Sequence, residues 1–325
     1  MKSSSALFPV SLLKADLHEN VTEDIYLVKH NRDEDRTVEV ALTRLGKLDQ
    51  PHSGQPVILV HGSFSNRSFW TSPKQSRLGN YLLTQGFDVW LMEHRGHGFS
   101  PYNRDFQNNS MARYVEFDLP AIQEFVIEQT NDSPVWVGHS LGGQMIASAI
   151  AARVFKQQPK AAVLAGTRLF GRPKYLWLPG VGLLLKAWIK FKNGLDGRRI
   201  GIGPEEEPAG ILTEYFSRLD WFGRWKTQNT SANAMKTNWQ AANVPLLGIS
   251  ASRDKRDPAK YCHRLLSSYG GPLTDMELGL KTGFSRDYGH VSMLVGDSAR
   301  DEVYPEIAQW LRNITVTSYC GSSTA

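Results

Sequence analysis

Ser133–Met145 reads SPVWVGHSLGGQM. Pro134–Val137 is apolar on successive residues, as in a strand covered on both faces. Beyond the glycines, QMIASAIAA (Gln144–Ala152) carries small and apolar residues at helical spacing. A single hydroxyl, on Ser140, therefore stands at a sharp strand-to-helix junction. Gly138-His139-Ser140-Leu141-Gly142 fits the pattern G-x-S-x-G, which Gly143 extends. Residues without side chains let such a turn close and let a substrate approach, while the serine itself takes a strained backbone conformation. The following helix aims free N–H groups and the positive end of its dipole at the same place. The pentapeptide alone also fits a serine that merely caps a helix. Its apolar strand and small-residue helix favour a nucleophile.

Working outward, short apolar runs alternate with amphipathic stretches. TVEVAL (Thr37–Leu42), PVILVHG (Pro56–Gly62), FDVWLMEHRG (Phe87–Gly96), AAVLAGT (Ala161–Thr167) and VPLLGIS (Val244–Ser250) read as strands. Helices are predicted over Arg77–Gln85, after Pro120, and over Asp301–Arg312 before the tail. This alternation implies a doubly wound, mostly parallel α/β sheet. From Arg168 to Ala241 the rhythm breaks: Trp177, Trp188, Trp221, Trp225 and Trp239 occur without a clean apolar strand. Val181, Leu184, Leu185, Trp188 and Ile189 share one helical face, with Lys186 and Lys190 outside it. The expected organisation is a core over 1–167 and 242–325, with a helical cap inserted at 168–241 over the carboxyl ends of the strands.

At 325 residues, with 41% hydrophobic side chains and no low-complexity tract, the chain is globular in composition. No run approaches the roughly 18 consecutive apolar residues of a membrane span. In MKSSSALFPVSLLKADLHEN the apolar run is broken by Pro9 and Lys14, and no small-residue cleavage site follows, so a cytoplasmic location is expected. Cys262 and Cys320 lie in no metal-spacing pattern and read as ordinary thiols; no cofactor and no metal are expected. The net charge of +5 is uneven: residues 151–200 hold eleven Lys or Arg against one acid, Asp196. That basic stretch suits a solvated helical face, or peripheral contact with an anionic membrane surface. Its cations interleave with apolar cap positions and no recognition motif accompanies them, so nucleic acid is not an expected partner.

A serine hydroxyl needs a general base oriented by a third group. His290, in SRDYGHVSML, sits in a loop ahead of the last helix, where an imidazole can overhang the sheet. His61, His94, His97 and His139 fall in other loop turns and are expected to shape the site; His18, His30, His52 and His263 read as surface residues. LLGISASRDKRDP offers Asp254 and Asp257 directly after an apolar strand. Asp254 is the expected acid, with Asp257 as the alternative or as the cap of the next helix. Arg253, Lys255 and Arg256 flank Asp254, where they favour its ionised form or meet an anionic substrate group. Oxyanion donors are expected from the Leu141 N–H and from the loop after VILVHG, at Ser63.

Together VHGS, GHSLGG, SRDKRDP and YGH resemble the α/β-hydrolase superfamily over about Pro56–Arg312. The chain order Ser, Asp, His matches that fold. VWLMEHRGHGFSP and the ending GHVSMLVGDSARDEVYPEIAQWL resemble bacterial lipase- or esterase-like and polyhydroxyalkanoate-related hydrolases, and GPEEEPAG is similar to a group of predicted bacterial hydrolases. The serine nucleophile departs from branches that use Asp or Cys there. The resemblance implies a serine hydrolase of carboxylic esters, thioesters or lipids, acting on a small-molecule or acyl-ester substrate through an acyl-enzyme. Two alternatives stay open. One is an amide hydrolase or aminopeptidase using Glu205, Glu206, Glu207 and Glu214 for a substrate ammonium; the other is a non-catalytic scaffold that binds a partner or a membrane surface.

Overall fold

The computed structural model of the chain describes residues 3–48, 50, 52–72, 77–171, 174–219 and 224–320. The apolar runs become neighbouring strands. β1 (Val10–His18), β2 (Val21–Val28) and β3 (Val40–Lys47) form an antiparallel edge. β4 (Pro56–Val60), β5 (Asp88–Met92), β6 (Val135–His139) and β7 (Ala161–Ala165) are buried at every position, as strands covered on both faces must be. β8 (Leu195–Asp196) and β9 (Glu206–Glu207) make a separate antiparallel pair. β10 (Leu246–Ala251) and β11 (Leu273–Leu278) complete the sheet.

Among the described residues the sheet has nine strands in the order β1-β2-β3-β5-β4-β6-β7-β10-β11. From β5 to β11 every pairing is parallel. After β4 the chain steps to β5 on one side, then returns to β6 on the other. The β4/β6 boundary is thus a topological switch point, where a crevice opens beyond the strand ends. The expected strand at Thr37–Leu42 begins only at Val40.

Helices cover both faces: α1 (Leu78–Thr84), α2 (Met111–Arg113) continuing through a π turn into α3 (Leu119–Thr130), and α4 (Leu141–Ala152). Pro120 lies in the first turn of α3, directly after the π turn. Between β7 and β10 come α5 (Val181–Lys192), α6 (Ala209–Leu219) and α7 (Ala232–Gln240). α8 (Ala259–Leu266) follows β10, and α9 (Tyr304–Cys320) follows a π turn at Ala299–Val303, so the last helix starts before Asp301 and outruns Arg312.

The stretch 168–241 divides by what it packs against. Ile189, Ala209 and Leu212 join Phe64 in a small cluster of their own. Trp225, Met235 and Trp239 instead belong to the main core, and Trp221 lies outside the described residues. On the apolar face read from α5 only Ile189 is buried; Leu184 is 71% exposed and Trp188 46%. His30, expected at the surface, is buried against Asp118 at 3.0 Å, because the Asp118 carboxylate needs donors.

Candidate active site

The strand ends dictate where the polar groups stand. Ser140 leaves β6 at φ 52°, ψ −114°, the strained turn that the glycine spacing calls for. A Cβ on Gly142 would lie 2.3 Å from the Val60 carbonyl oxygen of β4, so only glycine lets the elbow pass that strand. Gly166, at φ 55° beyond β7, does the same for the next loop: a Cβ there would sit 3.3 Å from His290 Nδ1 and 3.4 Å from Asp254 Oδ2. Leu141 opens α4, and its N–H has no helical acceptor.

His290 Nδ1 donates to Asp254 Oδ2 at 2.7 Å. The other Asp254 oxygen accepts the backbone N–H groups of Arg256 and Asp257, both at 2.8 Å. A carboxylate so tied cannot rotate. It fixes the imidazole tautomer with a lone pair on Nε2. His139, between Gly138 and the serine, is fully enclosed and donates Nε2–H to the His290 carbonyl at 2.8 Å. Its ring stacks on Phe69 at 4.6 Å, and burial, with the His290 imidazole beside it, holds it well below the usual imidazole range. His139 is a neutral prop for the His290 loop.

The sequence reading missed one contact. Ser140 Oγ donates to Asp257 Oδ2 at 3.2 Å. Asp257 does not cap α8, whose cap position is Pro258. It points inward instead, its other oxygen paired with Arg168 Nε at 2.8 Å and Oδ2 at 3.9 Å from His290 Nδ1. Arg168 Nη2 also donates to the Tyr215 hydroxyl at 2.9 Å. Burial raises the Asp257 carboxyl above the ordinary range despite the cations beside it. The only signal available was spacing: Asp254 and Asp257 share one tight turn.

Ser63, Leu141, Ser140, Asp257 and His290 line a cavity of about 1010 Å³, at the upper end of small-molecule sites. Phe64, Leu195, Ile202, Ile211, Leu212 and Phe216 give it apolar walls. Phe64 N–H is already taken by Glu207 Oε1 at 2.8 Å, which stiffens the loop carrying Ser63. Behind this loop His61, His94 and His97 are buried, with one ring nitrogen of each within 4.8 Å of the others. His61 uses both nitrogens inside the chain, on Gly62 O and on the His94 N–H. That leaves two imidazoles, short of the three or four ligands zinc takes. Of the four glutamates proposed for an ammonium, none lines the cavity. Glu206 accepts from Gln107 and Glu214 from the Met111 N–H, besides the Glu207 contact already described.

A family model described as the alpha/beta hydrolase fold matches residues 55–253. The chain is 30% identical to Triacylglycerol lipase 1 of Arabidopsis thaliana, over 94% of this chain and 91% of that protein. It is 24% identical to Triacylglycerol lipase 2 of the same plant, over 92% of this chain and 85% of that one. The solved structure of a thermophilic esterase from Thermogutta terrifontis shares the fold, with a TM-score of 0.59 at 17% identity, covering 89% of this chain and 98% of that one.

Proposed function

The chain belongs to the alpha/beta hydrolase fold family, and from that premise we propose that it hydrolyses carboxylic esters with Ser140 as nucleophile, His290 as base and Asp254 as orienting acid. The observation that carries the reading is the 2.7 Å contact between His290 Nδ1 and a fully tied Asp254, beside a serine in an elbow conformation on a cavity wall.

In this reading Ser140 Oγ leaves Asp257, transfers its proton to His290 Nε2 and bonds to the acyl carbon. The carbonyl oxygen becomes an oxyanion held by the N–H groups of Ser63 and Leu141, each such donor worth about 10²–10³ in rate. His290 then protonates the leaving alcohol. Water, deprotonated by the same imidazole, cleaves the acyl-enzyme and restores the serine. The apolar walls suit an acyl chain, and the names of the plant lipases favour acylglycerol-type esters. We treat 168–241 as the segment that roofs the cavity, since Leu195, Ile202, Ile211 and Phe216 come from it.

Ser140→Ala is expected to lower p-nitrophenyl ester hydrolysis by at least ~10⁴-fold without moving the melting temperature, and to abolish labelling by a fluorophosphonate. Turnover retained in the folded variant would refute the assignment. A second reading concerns location: Leu183, Leu184, Trp188 and Phe191 project from α5 beside Lys190 and Lys192. Apolar side chains among lysines suit peripheral contact with an anionic lipid surface. Flotation with phosphatidylserine vesicles at low salt checks it, and equal recovery with and without vesicles excludes it.

A further inference from the structure

Among the described residues, the charged side chains that line the cavity are six cations, Arg77, Arg168, Lys174, Lys255, Arg256 and Lys260, and one carboxylate, Asp257. Over the chain the two signs nearly balance, 37 Lys and Arg against 32 Asp and Glu, so this wall is no reflection of composition. The one carboxylate is already paired with Arg168. The excess is also placed. Arg168 and Lys174 follow β7, and Lys255, Arg256 and Lys260 follow β10, its neighbour in the sheet. Phe64 and Phe69 follow β4 on the far side of the nucleophile strand, as does Arg77; most of the other apolar lining comes from the stretch between β8 and α6, with Leu141, Pro258, Val291 and Val295 adding to it elsewhere. Ser140 thus stands between a mainly apolar side and a side that holds five of the six cations.

The loop carrying Lys255 and Arg256 is held by the catalytic geometry itself, since Asp254 Oδ1 accepts the Arg256 N–H. Arg256 lies close enough for its charge to act on the His139 ring, next to the nucleophile. Cations gathered at the mouth of a low-dielectric cleft focus field on whatever enters it. A neutral hydrocarbon ester has nothing to offer them. An ester carrying a carboxylate or phosphate does.

We propose that the substrate is an acyl ester bearing an anionic group, which the basic wall formed after β7 and β10 engages while its hydrocarbon part lies against the apolar side. This rests on the ester-hydrolase reading and adds the substrate class to it. The experiment uses the full chain and two matched pairs: mono-p-nitrophenyl glutarate against p-nitrophenyl valerate, with the charge in the acyl part, and 1-oleoyl-lysophosphatidic acid against 1-oleoylglycerol, with the charge in the alcohol part. Modest gains from several partly exposed charges multiply, so kcat/KM in at least one pair is expected to favour the anion by about tenfold at low ionic strength. That ratio should fall several-fold at 0.5 M NaCl (about a 4 Å Debye length), and again in Lys255→Gln/Arg256→Gln. Ratios at or below one in both pairs, or a preference indifferent to salt and to the double substitution, overturn the proposal while ester hydrolysis stands. No turnover of any of the four would remove the underlying reading as well.

Discussion

Two buried clusters of the molecule are built from the same three kinds of side chain and come out opposite. Around Arg95, which is wholly buried, the guanidinium grips Asp118 with Nε and Nη2 at 2.8 and 2.6 Å and reaches Asp33 at 2.7 Å. His30 completes Asp118 at 3.0 Å. Burial alone would raise the Asp118 carboxyl, but Arg95 and His30 outweigh it and hold it low. Around Ser140 the same residue types leave Asp257 raised. Burial raises it, with Asp254 repelling it as well, and outweighs His290, Arg168, which meets it through one nitrogen, and the neutral hydroxyl that takes the other oxygen. The Arg95 cluster lines no described cavity, while Asp257 lies on the wall of the 1010 Å³ cavity. Buried charge is therefore not in itself a sign of chemistry. Incomplete satisfaction facing open space is the better sign.

The contrast predicts different kinds of damage, the largest at the Ser140 cluster. Asp254→Asn keeps the shape but lets the imidazole present the wrong tautomer, so kcat for a p-nitrophenyl ester should fall by about 10⁴-fold. The melting temperature should change little by comparison. A loss under tenfold would mean that Asp254 is not the orienting acid. Arg95→Met should do the reverse. It strands Asp118 and Asp33 without their cation, and breaking a buried pair in this way costs about 3–5 kcal/mol. Denaturant unfolding should show that loss, while active-site titration shows near-normal kcat in the fraction still folded. Undiminished stability would mean the Arg95 cluster is not the structural one.

What the sequence disclosed follows the same division. β4, β5, β6, β7 and β10 were legible because strands buried on both faces are apolar throughout. The β1–β2 pair was not: β1 is exposed along most of its length and LLKADLH carries no alternation to read. β11, the opposite edge, is exposed over its first half and only half apolar, for the same reason. The α5 stripe was real as a pattern, yet Leu184 is 71% exposed and Ile189 buried, so amphipathic spacing located a helix without saying how much of its apolar face is covered. Ser140 and His290 were readable from local context, glycines at an elbow and a Gly-His step before a helix. Asp257 was not, because its direction depends on Asp254 Oδ1 gathering two successive N–H groups into one turn.

The smallest expected effect tests the comparison most closely. Asp257 accepts a hydrogen bond from Ser140 Oγ and stands 3.9 Å from His290 Nδ1, so in the proposed mechanism its charge would support the imidazolium. Asp257→Asn should lower kcat by less than about tenfold. In the wild-type profile of kcat/KM against pH, ionisation of Asp257 should appear as an inflection above the ordinary carboxylate value of 3.8. The inflection should vanish in the variant. Stability carries the matching sign. A raised carboxyl binds its proton more tightly in the folded chain than in the unfolded one, so its contribution is fullest below 3.8 and is lost as pH rises through the raised value. Asp257→Asn should therefore remove part of the decline in melting temperature between pH 4 and pH 7. Asp118, held low, has the opposite linkage, with stability present above the ordinary carboxylate value and lost on acidification. If Asp257→Asn left both the kinetic inflection and the melting curve unchanged, the two clusters would differ in location only, and the cavity-facing carboxylate would be packing.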